Sequence, residues 1–253
     1  MVINMEITYI GHSGFLIEWE ACYWLFDYYQ GTIPEMDLSK KVFVFVSHGH
    51  GDHYNPEIFK LFQKHSNITY LLSSDITVEK EMLKKSGISN QLIDKIIVVE
   101  PSKEYKLPED SPNKTNNIIT LKTLKSTDSG VAFLLNYKDK TIYHAGDLNL
   151  WVWKGESKQY NDSMTAMFDK EIGPLKGIPI DVAFAPLDPR QEDWYDKGLN
   201  KLLSTTKVTY LFPMHFWEKP SVIGQYKQEQ NINKNDTKVM DIEQAGQKWT
   251  IES

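Results

Sequence analysis

The strongest constraint on the fold is a run of five apolar residues that stops abruptly at a histidine-rich loop. Residues 42–46 read VFVFV, and a continuous, β-branched run of this length is typical of a strand buried on both faces. The next nine residues read SHGHGDHYN, so His48, His50, Asp52 and His53 follow the strand directly. Loops at the C-terminal ends of such strands are where α/β proteins build their sites. The sequence therefore predicts a sheet whose buried strand ends at a functional loop.

This loop combines four side chains that can bind a metal ion. Three of the seven histidines of the chain lie within six residues, which argues against a polar loop with chance histidines. Neutral imidazole and carboxylate suit zinc, iron(II) or manganese. Cys22 is the only cysteine, so an internal disulfide and a cysteine-based zinc cluster are excluded. Gly49 and Gly51 are expected to supply unusual backbone angles that let the imidazoles diverge from a tight turn.

Length and composition indicate one well-cored domain. The chain has 253 residues, of which 41% are hydrophobic and 25% charged, close to the globular average. Predicted strands cluster in two groups, each followed by helices and a further strand, and no linker divides the chain. We therefore expect a single domain over residues 1–253 with two sheets. A helix capped by Asp75 is predicted over residues 76–87, and residues 101–117 are expected to form a polar surface excursion.

Several classes of protein and partner are disfavoured. The apolar runs are far shorter than the roughly 18 residues of a membrane span, and the N-terminus lacks the apolar segment of a secretory signal. A formal net charge of −6 argues against a broad nucleic-acid surface. The expectation is a cytoplasmic protein that acts on a small molecule, with no nucleic-acid or membrane partner and with an oligomeric state that the sequence leaves open.

Two further residues occupy the same kind of position as the histidine loop. Asp147 follows the predicted strand TIYHAG, and His215 follows the predicted strand VTYLFPM. Taken alone, such an aspartate is commonly a turn residue and such a histidine a core residue. Beside the histidine loop both become candidate ligands, because a two-metal site needs a carboxylate that can bridge and a further imidazole.

Together these motifs resemble those of the metallo-β-lactamase superfamily, whose mark is H-x-H-x-D-H followed by a bridging aspartate and a final histidine. The similarity also covers IGHSGFLIE, the strand YWLFD that ends at Asp27, and GVAFLLNYKDKTIYHAGD. The segments GHSGF and TIYHAGD are most similar to the hydrolases that include the lactonases acting on ascorbate 6-phosphate. The resemblance implies an α/β (α+β) fold, a four-layer αββα sandwich of two mixed β-sheets, with the metals at one edge between the sheets.

The resemblance also implies a ligand set for two divalent metal ions. The first metal would take His48 and His50, and the second would take Asp52, His53 and His215, with Asp147 bridging. The third histidine of the first metal is missing. Its position, seven residues before Phe133, holds Ser126, and serine is a poor ligand. Either Asp128 replaces it, or the first site is weak, or only one metal binds; the alternative for Asp128 is an Asx turn.

Two segments, residues 148–153 and residues 186–194, are expected to shape a substrate pocket. Arg190, the only arginine, is predicted to face the metals and bind an anionic group of the substrate, because its fork suits carboxylate or phosphate. An ion pair with Asp188 or Glu192 is the alternative. Trp151 and Trp153 are two positions apart, so one of them is expected to line the site while the other packs. Trp151 is the first candidate for the site.

Four other residues receive predictions of their own. His12 would either help to bind the substrate or only end a strand. Asp27 is expected to hold the histidine loop by hydrogen bonds, and His144 to support the Asp147 loop or fill the core. His65 is expected to be an exposed helix residue.

The leading hypothesis is a metal-dependent hydrolase. A metal-bound hydroxide, shared by two cations and Asp147, would attack a small anionic ester, lactone or phosphoester, while Asp52 orients the nucleophile or shuttles a proton. Zinc is the first choice of metal, with manganese and iron as alternatives. The alternative function is a metal-binding or sensor protein of the same fold, with a degenerate first metal site and little hydrolytic activity.

Overall fold

The computed structural model describes residues 4–77, 90–109, 117–230 and 237–251. The chain divides into two compact units, each of which holds all or most of one seven-stranded sheet. The first consists of Met1–Glu100, Lys106–Ile119 and Gln244–Ser253, and the second of Pro101–Tyr105 and Thr120–Glu243. That residues 1–253 form a single domain stays a prediction. Most of the predicted helix over 76–87, and residues 110–116 of the predicted polar excursion, lie outside the described residues.

The strands form where the sequence predicts apolar and alternating segments. In chain order they are β1 (Met5–Gly11), β2 (Gly14–Glu18), β3 (Cys22–Phe26), β4 (Lys41–Val46), β5 (Ile68–Ser73), β6 (Ile96–Val99), β7 (Glu104–Pro108), β8 (Ile118–Lys125), β9 (Val131–Tyr137), β10 (Lys140–His144), β11 (Ile180–Pro186), β12 (Val208–Met214), β13 (Lys238–Val239) and β14 (Lys248–Ile251).

The helices of the described residues are short, except for one helix that is 15 residues long. They are α1 (Asn90–Ile93), α2 (Lys158–Ile172), α3 (Lys197–Thr205) and α4 (Ser221–Glu229), with 3₁₀ helices at Pro56–Gln63, Gly173–Leu175 and Pro189–Trp194. The longest, α2, begins after Ser157, whose hydroxyl accepts a hydrogen bond from the Tyr160 N–H at 3.1 Å. Within the described ranges, none of the helices combines the length and the apolar content that a membrane crossing requires.

The sheet of the first unit is mixed, with strand order β14-β1-β2-β3-β4-β5-β6. Pairing is antiparallel from β14 to β3 and parallel from β3 to β6. Every residue of β3 and β4 is buried, which explains why their sequences are almost wholly apolar. Since β3, β4 and β5 run parallel, the loops that follow them leave from the same edge of this sheet.

The 3₁₀ helix Pro56–Gln63 packs on one face of this sheet, directly after the histidine loop. Asn55 caps it, because its side-chain oxygen accepts the Glu57 N–H at 2.9 Å. Ile58 is fully buried, and the Tyr70 hydroxyl on β5 donates a hydrogen bond to the Ile58 carbonyl at 3.1 Å. These contacts fix the segment into which the histidine loop runs.

The prediction that His65 is an exposed helix residue is wrong, since the side chain is buried. The helix is of the 3₁₀ type and ends at Gln63, so His65 lies in the turn beyond it, where its N–H donates to the Leu61 carbonyl at 2.8 Å. A 3₁₀ helix has three residues per turn, so the face expected from α-helical spacing does not apply.

The sheet of the second unit has the order β13-β12-β11-β10-β9-β8-β7. Pairing is parallel from β10 to β13 and antiparallel between β8, β9 and β10. Because β10, β11 and β12 are parallel neighbours, the loops after them also share one edge of their sheet. Those loops carry Asp147, Asp188 and His215.

Candidate metal centre

In the first unit, Asp27 holds the histidine loop at the edge of the sheet. It follows β3 and is fully buried. One carboxylate oxygen accepts the backbone N–H of Ser47 at 2.7 Å; the other lies 2.6 Å from the Ser47 hydroxyl and 2.8 Å from His53 Nδ1. The prediction that Asp27 fixes this loop by hydrogen bonds is confirmed.

The histidines of this loop differ in burial and in the partner of the ring. His48 and His53 are fully buried, whereas His50 is exposed. His48 Nδ1 lies 3.0 Å from the Ser47 hydroxyl, and His53 Nδ1 is held by Asp27. With Nδ1 held in both rings, Nε2 is the nitrogen that would bind a metal. His48 and His50 place ligand nitrogens within 4.8 Å of each other.

A second group in this unit combines His12, Asp52 and His53. Each offers one ligand atom, and these three atoms lie within 4.8 Å of one another. His12 Nε2 lies 3.4 Å from Asp52 Oδ2, and the His12 and His53 rings meet edge to face. Burial alone would raise the pKa of Asp52, but the hydrogen bond with His12 and the adjacent His53 ring lower it well below its usual value. Asp52 is therefore a carboxylate at neutral pH.

The glycines of the loop do not act as predicted. Neither Gly49 nor Gly51 has a positive φ, and an added Cβ would meet nothing closer than 3.6 Å at Gly49 and nothing within 4 Å at Gly51. The strained positions are instead His12 (φ 53°) and Asp27 (φ 39°). Asp75, after β5, also holds the loop, since its side chain accepts the Gly49 N–H at 2.9 Å.

In the second unit, the turn after β10 presents Asp147. The Gly146 N–H donates to Nδ1 of the buried His144 at 3.2 Å, and Gly146 adopts a φ of 51°, which suits glycine. The Trp151 indole N–H donates to the Asp147 carbonyl at 2.9 Å. His144 therefore both fills the core and supports the Asp147 turn, so the two predicted roles coexist.

His215 follows β12 and is held by a buried carboxylate that the sequence analysis did not single out for this role. Its Nδ1 lies 2.9 Å from Asp188 Oδ2, and its Nε2 lies 3.3 Å from Asp147 Oδ1. Burial opposes ionisation of Asp188, but hydrogen bonds from His215 and Arg190 outweigh it and lower the pKa to about 2. The signal that could have found Asp188 is its position just after a predicted strand, like Asp27 and Asp147.

Ser126, at the position of the missing histidine, is a buried turn residue. Its hydroxyl accepts the Asp128 N–H at 3.1 Å. Thr127 ties this loop to the Asp147 loop, because its hydroxyl donates to the Asn149 carbonyl at 2.6 Å and accepts the Asn149 N–H at 3.1 Å. Asp128 and Asp147 place carboxylate oxygens within 4.8 Å of each other, which keeps Asp128 a candidate ligand.

Comparison with known proteins gives the family. Residues 6–162, more than half of the chain, match the β-lactamase superfamily domain. The chain belongs to the metallo-β-lactamase superfamily. A UPF0173 metal-dependent hydrolase of Carboxydothermus hydrogenoformans is 24% identical over 234 residues (88% of this chain and 91% of that one). One from Nanoarchaeum equitans is 28% identical over 214 residues, 84% of each chain.

Solved structures similar to this one include the metallo-β-lactamase fold protein YhfI of Bacillus subtilis, with a TM-score of 0.53 and 14% identity over 98% of this chain and 99% of that one. Igni18, a metallo hydrolase of the archaeon Ignicoccus hospitalis, has a TM-score of 0.63 and 20% identity, with 99% of each chain covered. The predicted fold class, two mixed sheets with helices, is confirmed.

The donor set of this superfamily member fits divalent metal ions. Three histidines have Nδ1 beside a hydroxyl or carboxylate, namely His48, His53 and His215. A partner on one ring nitrogen fixes the ring and its tautomer, and this arrangement is general for histidines that bind metals. Imidazole nitrogens and carboxylate oxygens suit zinc, manganese and iron(II).

Two of the residues predicted to bind substrate, Arg190 and Trp151, lie in the second unit, whereas the third, His12, lies in the first. Arg190 pairs with Asp188, Nε to Oδ2 at 2.9 Å, so the alternative ion pair is present, although Asp188 is buried rather than on the surface. The Arg190 guanidinium also lies over the Trp217 ring, 4.6 Å from its centroid. Trp151 is buried and stacks on Trp153 with 6.2 Å between ring centroids.

Proposed function

We propose that this chain, a metal-dependent hydrolase like its relatives, cleaves an ester, lactone or phosphoester bond of a small anionic substrate. The observation that carries the proposal is the common arrangement of His48, His53 and His215, each with Nδ1 held and Nε2 directed away from its holder. Such an arrangement is suited to binding metal rather than to filling a core. A bound metal supplies Lewis acidity and lowers the pKa of a water molecule toward about 7.

The proposed ligands are those that the family resemblance implies. His48 and His50 would hold the first metal, and Asp52, His53 and His215 the second, with Asp147 shared. Asp128 takes the place of the missing third histidine, supported by its closeness to Asp147. The absence of thiolate among these donors favours catalytic over structural zinc, with manganese and iron as alternatives.

The residues of the chain have distinct tasks in this proposal. Asp52, ionised at neutral pH, orients the attacking water or shuttles a proton. His12, in contact with Asp52, holds that carboxylate in place and contacts the substrate. Buried Asp27 fixes the loop, so the ligands do not have to be ordered during the reaction.

The substrate is proposed to be a small molecule. Arg190 and Trp151 would contact it, the first through its charge and the second through its ring. A net charge of −6 repels polynucleotides, so nucleic acid is not proposed as a partner, nor is a membrane. The cytoplasmic location expected from the sequence stays a prediction.

Metal content and hydrolysis of a panel of lactones and phosphodiesters test the proposal together. His50→Ala should lose metal and activity while the circular dichroism stays unchanged, because this side chain is exposed. His53→Ala should also lose metal. His65→Gln, which removes a histidine outside the proposed ligand set, should keep both metal and activity.

The alternative function gives a different result. Stoichiometric metal in the wild type without turnover of any panel member would favour the metal-binding or sensor protein of the same fold, with Ser126 in place of a ligand as its basis. Full metal content in both His50→Ala and His53→Ala would refute the ligand assignment itself.

A further inference from the structure

We infer that Asp188 and Arg190 are positioning residues, which hold His215 in the one orientation and tautomer that lets Nε2 bind metal. The inference rests on the proposed function, because it takes His215 to be a ligand. It gives a task to a buried carboxylate that the ligand set does not include, and a second task to the only arginine of the chain.

The Asp188 carboxylate determines which ring nitrogen of His215 carries the proton. It is fully buried, and its oxygens accept several hydrogen bonds. Oδ1 accepts the backbone N–H of Arg190 at 2.9 Å and its side-chain Nε at 3.0 Å; Oδ2 accepts Nε at 2.9 Å and lies 2.9 Å from His215 Nδ1. A buried carboxylate is tolerated only with such partners. Because a carboxylate only accepts, Nδ1 of His215 carries the proton and Nε2 carries the lone pair.

The His215 imidazole is also held in one orientation. Nε2 of His215 lies 3.3 Å from Asp147 Oδ1, so the imidazole is turned toward another proposed ligand of its unit. His215 has a φ of 61°, a left-handed conformation that costs free energy for a residue other than glycine. The hydrogen bond to Asp188 and the edge-to-face contact with Trp151, at 5.4 Å between centroids, stabilise it.

The two contacts of the Arg190 side chain require an arginine rather than a lysine at this position. One edge of the guanidinium binds Asp188, while its face covers the ring of Trp217, which in turn meets His215 edge to face at 5.6 Å. A planar fork can do both at once, whereas an ammonium group cannot. Arg190 thus joins two supports of His215, the carboxylate and the indole. Trp217 also has a left-handed φ, of 55°, so this local geometry needs support as well.

The test is a cobalt(II) titration of the metal-free protein against a competing chelator, followed by the visible spectrum of the bound ion. Asp188→Asn should weaken cobalt binding by about 10–100-fold, because its amide N–H₂ would face a donor from either Arg190 or His215. The cobalt spectrum should change as well, since the imidazole is no longer fixed. Arg190→Ala should shift affinity and spectrum in the same direction, and Arg190→Lys should restore the affinity only in part.

The matched control is Asp181→Asn. Asp181 lies on β11, the strand that Asp188 follows. It also accepts a backbone N–H, that of Thr141 at 2.9 Å, and pairs with Lys140. Its substitution should leave the cobalt affinity and spectrum at the wild-type values. Arg190 is half-exposed, so its variants stay informative if Asp188→Asn fails to fold.

Three outcomes separate the inference from the proposed function. If His215→Ala binds cobalt as the wild type does, the ligand assignment fails. If His215→Ala loses cobalt but the Asp188 and Arg190 variants keep the wild-type affinity and spectrum, the inference is overturned and the proposed function stands. If Arg190→Ala raises only the KM of a panel substrate, with cobalt binding unchanged, Arg190 contacts substrate and does not position His215.

Discussion

The substitution Gly198→Ala is expected to change the free energy of unfolding in two opposite ways, through a higher helix propensity and through a steric clash. Gly198 is the second residue of α3 and is buried against the loop that follows Asp147. A Cβ at this position would lie 1.9 Å from Asn149 Oδ1 and 3.0 Å from both Asn149 Cγ and the Leu150 nitrogen. Ordinary contacts of a Cβ fall between 3.4 and 4 Å. The loop must therefore move, or the helix must.

The magnitude follows from the contacts that would be lost. Alanine gains at most about 1 kcal/mol over glycine in a helix, and less near a helix end. Overpacking a filled site costs about 1–3 kcal/mol. Moving the Asn149 amide also breaks its 3.1 Å hydrogen bond to the buried Gln191, worth about 1 kcal/mol. The clash outweighs the propensity, and the free energy of unfolding should fall by about 2 kcal/mol.

Urea unfolding of the metal-free protein, monitored by circular dichroism, measures this change. The control is Gly224→Ala in α4, where an added Cβ meets nothing within 4 Å. There only the propensity operates, and the free energy of unfolding should rise by about 0.5–1 kcal/mol. If Gly198→Ala is as stable as Gly224→Ala, the close approach of α3 to the Asn149 loop is not a rigid feature and the reasoning fails.

Three further predictions concern the histidine loop, the loop before β9 and the buried tyrosines. Asp27→Asn should weaken metal binding by about 10–100-fold, because its amide would present a donor where His53 Nδ1 now has an acceptor; a metal titration giving the wild-type affinity would contradict this. In the same titration, Ser126→His should raise the affinity of the first metal and Asp128→Ala should lower it, and two equal sites that neither change affects would exclude Asp128 as a ligand. Burial raises the pKa of Tyr9 to about 12, so above about pH 10 the unfolded chain releases this proton first and the free energy of unfolding should fall. A spectrophotometric titration in which every tyrosine ionises near about pH 10, with the circular dichroism retained, would refute this.

The sequence was sufficient where one physical signal dominates. The run at 42–46 predicts β4 because few patterns other than a doubly buried strand are wholly apolar over that length. The segment VTYLFPM coincides with β12 residue for residue. The supporting role of Asp27 was also predictable, since a carboxylate after a buried strand needs partners.

The sequence failed where the outcome depends on distant residues or on the type of turn. The 3₁₀ helix before His65 has the same residue pattern as an α-helix, so the burial of His65 could not be read from periodicity. β13 has two residues and carries no period at all. The partner of His215 is 27 residues away, and nothing local to Asp188 indicates which histidine it will meet.

The residues that position the metal-binding loops are far from them in sequence, and this separation bears on when the protein can bind metal. Asp27 lies 26 residues from His53, Asp188 27 residues from His215, and Thr127 22 residues from the loop that it secures. The first two pairs require parallel strands to assemble, and the third requires β8, β9 and β10 to pair. Such non-local pairing is the slow part of folding. We therefore expect metal to bind after the folding barrier, so that a bound ion slows unfolding without speeding refolding.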